Sequence, residues 1–165
     1  MTTIRDFQHS DFDDIVAGWH KTNLVSYPYV RVHQEHSLED ARRFFREIVL
    51  AECRVWVAER LCQPAGLLAL RDSWIRQFAV FPAFQRQGVG TALLQTARAH
   101  SPAQLQLFTF RRNVAARAFY ERHGFSAVAF GVSPAPESEP DGCLSDPSAR
   151  TPPASAGRTP AYFFF

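Results

Sequence analysis

"QRQGVGTALL", residues 85–94, sets Gly88 and Gly90 at the point where a helix with apolar spacing begins. Each glycine weakens a helix by about 1 kcal/mol relative to alanine, so the pair is expected to serve a need for bare backbone. The residues before it, "WIRQFAVF" (74–81), have the character of a strand that stops at Pro82. The order is strand, Pro-containing turn, Gly-rich loop, helix. The first N–H groups of such a helix lack intrahelical acceptors, and with the helix dipole they form an anion site. Cradling a phosphate is one use of this loop, and a tight turn without a ligand is the other. Two familiar phosphate loops fit poorly. No lysine follows the second glycine as a Walker loop requires, and Leu93 stands where a dinucleotide fingerprint has its third glycine.

Outward from the loop, hydrophobic spacing predicts the remaining elements. "TTIRDF" reads as a first strand, and Ser10 or Asp11 caps a helix through about His20. "NLVSYPYVRVHQEH" has no clean period and reads as a loop or broken helix. Ser37 opens a further helix through the capping-box pattern "SLED". "RVWVAER" (54–60) and "LLALRD" (67–72) form a hairpin, and "QLQLFTF" (104–110) and "FSAVAF" (125–130) are later strands. Between these last two, Asn113 caps a helix through Arg122, with Gly124 as its C-terminal stop.

The bulk composition limits the function classes. With 165 residues, 46% apolar and 21% charged, the chain suits one globular domain. A net charge of +2 is too small to announce nucleic-acid binding. Cys53, Cys62 and Cys143 share no metal or redox spacing, which predicts no metal and a reducing, cytoplasmic location. No stretch approaches the roughly 20 apolar residues of a membrane span, and the first residues lack a signal-peptide core.

Gln85, Gly88 and Gly90 resemble the Gln/Arg-x-x-Gly-x-Gly/Ala motif of the GCN5-related N-acetyltransferases (GNAT family). Asn113, Ala116, Phe119-Tyr120 and Gly124-Phe125 resemble, in order and spacing, the segment that follows in that family. The resemblance covers about residues 1–130. It implies an α/β fold: a mixed, largely antiparallel sheet flanked by helices, with a V-shaped splay between the strands at about 74–81 and 104–110. It further implies acetyl-CoA as co-substrate. Backbone groups of Phe78, Ala79 and Val80 would meet the pantetheine arm. Gln85, Arg86, Gln87, Gly88, Val89, Gly90 and Thr91 would form the pyrophosphate loop. Asn113 matches a position that touches the cofactor arm, or caps its helix, or both. Tyr120 matches the proton donor to the departing thiolate, a role suited to a phenol of pKa about 10.

The implied reaction is acetyl transfer to a primary amine of a small-molecule or peptide acceptor, by direct attack in a ternary complex. The alternative is a non-catalytic acyl-CoA-binding sensor or partner subunit. The strand before the loop offers Trp74, Arg76 and Gln77 but no acid, so a carboxylate base from that strand is in doubt. His20, His33, Glu35 and His36 are candidate bases, although each is expected at the surface. Trp19, Tyr27, Tyr29 and Trp74 are expected in ordinary core packing, with an aromatic acceptor pocket as the other option.

Seven of the eleven prolines fall in residues 131–165. That stretch is expected to be a loosely ordered tail, and "GCLSDPSARTPPASAG" resembles no strand. Its closing "AYFFF" is expected to fold back as an edge strand or to pack on a second copy as a homodimer.

Overall fold

The computed structural model describes residues 1–146. In chain order, β1 (Thr2–Asp6) leads into α1 (Phe12–Ser26), the short α2 (Arg31–Glu35) and α3 (Leu38–Phe44). A π-helical stretch, Phe45–Val49, carries α3 on into α4 (Leu50–Glu52). The strands β2 (Arg54–Arg60), β3 (Gln63–Arg71) and β4 (Trp74–Val80) follow as a meander. Then come α5 (Val89–His100), β5 (Gln106–Phe110), α6 (Val114–Arg122), β6 (Ser126–Val132) and β7 (Pro140–Ser145).

The seven strands lie in the order β1-β2-β3-β4-β5-β7-β6, antiparallel except for the β4–β5 pair. This is the mixed, largely antiparallel sheet that the resemblance implies. In β3, six consecutive residues from Ala65 to Leu70 are buried, as a strand covered on both faces requires. Leu68 and Leu70 pack with Leu93, Leu94 and Tyr120 on the α5/α6 side. Leu67 and Ala69 pack with Ile15, Val16, Trp19 and Phe45 on the α1/α3 side. Trp19 therefore belongs to the core, as expected, with Phe44 and Phe45 against its ring.

Local chemistry fixes the helix starts. The Ser37 hydroxyl accepts from the Asp40 N–H at 3.1 Å, and Asp40 accepts from the Ser37 N–H at 2.9 Å, the capping box legible in the sequence. Asn113 caps α6 by accepting from the Ala116 N–H at 3.2 Å. The helix α1 runs beyond the expected end at His20 to Ser26, because Thr22 and Asn23 continue its buried face. It ends just before Pro28, which disfavours helical geometry in the residue ahead of it.

The largest correction concerns the C-terminal part. "PDGCLS" reads as no strand, yet it forms β7 and lies between β5 and β6. Gln106 pairs with Ser145 and Phe110 with Asp141 on one side, while Ser126 pairs with Ser145 and Val132 with Pro140 on the other. The sheet thus extends past the boundary expected at about 130 to Ser145. Asp146 secures the end: its N–H donates to the Leu105 carbonyl at 2.9 Å, and its carboxylate accepts from Arg98 Nε at 2.8 Å. The expected terminal edge strand falls outside the described residues.

The decisive feature is the β4–β5 junction. The two strands pair only at Trp74 with Gln106, where the Gln106 N–H donates to the Ser73 carbonyl at 2.9 Å. Beyond that point no further pairing joins the described residues of β4 and β5, and the sheet opens as a V.

Candidate active site

The V opens into a cleft of about 460 Å³. Phe78, Ala79, Val80, Gln85, Arg86, Gly88, Gly90, Thr91, Asn113 and Tyr120 line it. The Phe81 N–H donates to Ala65 O in β3 at 2.8 Å. By strand alternation the backbone groups of Ala79 also face β3, while those of Phe78 and Val80 face the gap. Of the three backbone positions expected along a pantetheine arm, two are therefore turned to the opening. The Val80 carbonyl already accepts from Gln85 Nε2 at 3.1 Å, which pins the loop to the strand edge.

The loop's conformation gives the glycines distinct roles. Gly88 has φ +84° and is the N-cap of α5, which starts without a side-chain cap. Only glycine adopts that backbone freely. A Cβ on Gly88 would meet nothing within 4 Å, so the space beyond its backbone is open. Arg86, at φ 62°, is also left-handed. Such turns ahead of a helix start curl successive N–H groups into an anion-binding concavity. Gly90 has a packing role as well: a Cβ there would lie 3.1 Å from the Phe119 ring. Gly90 thus has a packing reason beside the two uses, phosphate cradle and tight turn, expected of the loop.

Two predicted loop residues lie outside the lining. The Gln87 side chain accepts from Arg60 Nε at 3.0 Å and donates to Ala83 O at 2.9 Å, bracing the loop from behind. The Val89 side chain is buried in the core.

Tyr120 faces the cleft, ringed by Phe78, Phe119 and Phe125 with centroids 5.7, 5.2 and 5.4 Å away. Burial, helped by the nearby Tyr27 phenol, pushes its pKa well above the ordinary phenol value. It is a held proton at neutral pH. Tyr27 also lines the cleft, and burial raises its pKa to about 12.

The base candidates are placed differently from expectation. His20, His33, Glu35 and His36 all lie outside the cleft lining, as do Tyr29 and Trp74. His33 is buried, contrary to the surface position expected, and its Nε2 lies 2.7 Å from Glu137 Oε1. Neither partner has an exposed side chain. Among the described residues that line the cleft there is no carboxylate. Sequence reasoning missed Thr22, Asn23, Ser26 and Thr109, which line the end of the cleft towards α1. Thr22, Asn23 and Ser26 could be found, with Trp19, from the 19-22-23-26 stripe of α1, whereas Thr109 comes from β5.

Burial pushes the Glu137 carboxyl up to about 9 and the His33 imidazole down to about 4. The pair therefore holds one shared proton. Between pH 4.5 and 6.5 the unfolded chain also binds one proton at these two groups, and their contribution is flat. Above 6.5 the unfolded histidine releases its proton while the folded pair keeps one to about 9, so stability falls as pH rises. Below 4.5 the unfolded chain binds two and the pair holds one to about 4, so stability falls again. Urea midpoints of the wild type should fall as pH rises from 6.5 to 9, because the unfolded chain loses there a proton that the folded pair keeps. Glu137→Gln should lose that component, and equal slopes in the two proteins would contradict the shared proton.

Residues 51–127 match the family model described as an acetyltransferase (GNAT) domain. Over that stretch, and in its fold, the chain is similar to the GNAT acetyltransferases. The matched model and the curated relatives support an acyl-CoA-dependent acetyltransferase. Among similar proteins, the uncharacterized N-acetyltransferase YafP of Escherichia coli is 29% identical over 129 residues, covering 76% of this chain and 81% of YafP. The peptidyl-lysine N-acetyltransferase YjaB of the same organism is 27% identical over 129 residues, 78% of this chain and 84% of YjaB. The solution structure of apo YjaB superposes with a TM-score of 0.75 over 88% of this chain and 97% of its own, at 22% identity. The PaiA N-acetyltransferase of Thermoplasma acidophilum, solved with coenzyme A, gives 0.67 over 88% and 98% at 13% identity. No helix among the described residues is long and apolar enough to cross a membrane.

Proposed function

We propose that the protein moves an acetyl group from acetyl-CoA to a primary amine by direct attack in a ternary complex. The observation that carries this reading is the β4–β5 opening, with the Arg86–Gly88 turn at one end and Tyr120 on its wall. The loop amides from Arg86 to Thr91 hold the pyrophosphate, with the Arg86 guanidinium offsetting its charge. The pantetheine arm runs along the gap-facing backbone of Phe78 and Val80, and Asn113 meets it while capping α6. These donors and acceptors border one cleft, which suits an elongated, anionic cofactor.

In the reaction the neutral amine nitrogen bonds to the thioester carbonyl carbon and the C–S bond breaks. The proton of the attacking amine leaves to water, since no carboxylate lines the cleft among the described residues. Tyr120 gives its phenolic proton to the coenzyme A sulfur as the thiolate departs, and is reprotonated from solvent. The protein's contribution is mainly positioning, which holds amine and carbonyl at attack distance.

Tyr120→Phe should lower kcat by about 100-fold, the lower range for a lost general acid, with the affinity for acetyl-CoA retained. Thiol release during turnover of an amine panel, beside calorimetry of acetyl-CoA, measures both. An unchanged kcat would remove Tyr120 from the proton path. Cofactor binding without turnover of any amine would leave an acyl-CoA-binding protein without transferase activity.

A further inference from the structure

We propose that His123 is a positioning residue of the pyrophosphate site: it acts through the Thr91 hydroxyl, and its imidazole takes up a proton when the cofactor binds. The inference rests on the cofactor reading above and adds a residue to that same site.

The two side chains meet where the phosphates are expected. Thr91 is the third residue of α5, whose N-cap is Gly88, so it stands in the turn where backbone N–H groups lack intrahelical acceptors. His123 is the C-cap of α6, and Gly124, with φ +89°, turns the chain away after it. Thr91 and His123 line the cleft together with Arg86, Gly88 and Gly90. His123 Nε2 lies 3.2 Å from Thr91 Oγ1.

Hydrogen bonding fixes where the protons sit. His123 Nδ1 lies 2.8 Å from the Phe119 carbonyl oxygen. A carbonyl oxygen only accepts, so Nδ1 carries the hydrogen. In the neutral ring Nε2 then offers a lone pair, and the Thr91 hydroxyl donates to it. The threonine oxygen is left with lone pairs alone to present to a ligand. A phosphate oxygen also presents lone pairs, and the two repel.

One proton reverses the bond. Protonated Nε2 donates to Thr91 Oγ1, and the hydroxyl hydrogen turns to a phosphate oxygen. The imidazolium so formed stands at the C-terminal end of α6, where the helix dipole favours a cation. The charged groups around the ring come from several elements. Arg98 of α5 donates to the His123 carbonyl and, at 2.8 Å, to Asp146 beyond β7. Glu121, 3.9 Å from Arg117, and Arg122 precede it on α6, and Arg86 lines the same cleft. Arginines are permanent cations, whereas an imidazole gains its charge between pH 5 and 8. His123 is therefore the group whose charge can follow the arriving anion.

Calorimetry counts that proton. Binding heats near neutral pH are compared in buffers of different ionisation enthalpy, and the slope gives the protons taken up per ligand. The ligands are acetyl-CoA and dephospho-coenzyme A, which lacks the phosphomonoester that itself titrates at about pH 6. Dephospho-coenzyme A should bind the wild type with uptake of at least about 0.3 proton. Its Kd should rise about fivefold or more from about pH 6.5 to 8.5, because the complex holds a proton that the free protein releases. His123→Gln, which keeps a donor and an acceptor at that place, should bind with uptake near zero and a nearly flat Kd. Thr91→Val should lose the uptake as well. No uptake by the wild type with dephospho-coenzyme A would overturn the inference, as would equal uptake in either variant. Uptake with acetyl-CoA alone would assign the proton to the cofactor's own phosphomonoester and overturn it too. Failure of the wild type to bind either ligand is a distinct outcome that removes the cofactor reading and this inference together.

Discussion

A chain ending at residue 130 should fail to fold. Its loss of β7 is the reason: that strand lies inside the sheet, with β5 on one side and β6 on the other. Without it, five residues of β5 from Gln106 to Phe110 lose their antiparallel partners. On its other side β5 meets β4 only at Trp74. Buried N–H and C=O groups without partners cost about 1–3 kcal/mol each, against a total stability of about 5–15 kcal/mol for a domain. Removal of buried Leu144 and of the Arg98–Asp146 ion pair adds to the deficit. Circular dichroism with urea titration should show a cooperative transition for the full chain and none for the truncated one. A cooperative transition of the truncated chain would contradict the placement of β7.

The second large effect is on the cofactor. Gly88→Trp should weaken acetyl-CoA binding by at least about 100-fold, a loss near 2.7 kcal/mol. Nothing lies within 4 Å of the position its Cβ would take, so the indole would stand in open space at the mouth of the pyrophosphate loop. The left-handed φ adds strain of about 1–2 kcal/mol for any residue with a Cβ. Gly88→Ala carries the same strain without the bulk and separates the two causes. Calorimetry should show alanine retaining most of the affinity and tryptophan losing it. Equal binding by all three proteins would place the pyrophosphate elsewhere.

Much of this site was legible in the sequence because its parts are local. Gly88, Asn113 and Gly124 each mark one helix boundary, and each boundary depends on a few neighbouring residues. The mixed, largely antiparallel sheet and the splay came with the resemblance, since strand pairing across a V leaves no periodic trace. The strand β7 was illegible for a physical reason. "PDGCLS" is poor in β-branched and aromatic residues, and burial of Asp141, Gly142, Cys143, Leu144 and Ser145 alike erases the alternation that marks a strand.

The His33–Glu137 pair was hidden by a separation of 104 residues. Single polar residues read as surface until the partner that lets them be buried is known. Gly90 carries a second reason that its motif does not show. Its motif position points to a ligand, and the contact with Phe119 gives it a packing reason too.

The central claim is that the backbone of the 85–91 turn holds the pyrophosphate of acetyl-CoA while the arm enters the splay. Amide nitrogen–proton NMR spectra recorded during titration with acetyl-CoA test it most directly. The largest shifts should fall on the amides from Arg86 to Thr91 and on Phe78 and Val80, with Ala79 moving less because its N–H is committed to β3. Saturating shifts confined to another face, or none at all, would contradict the account.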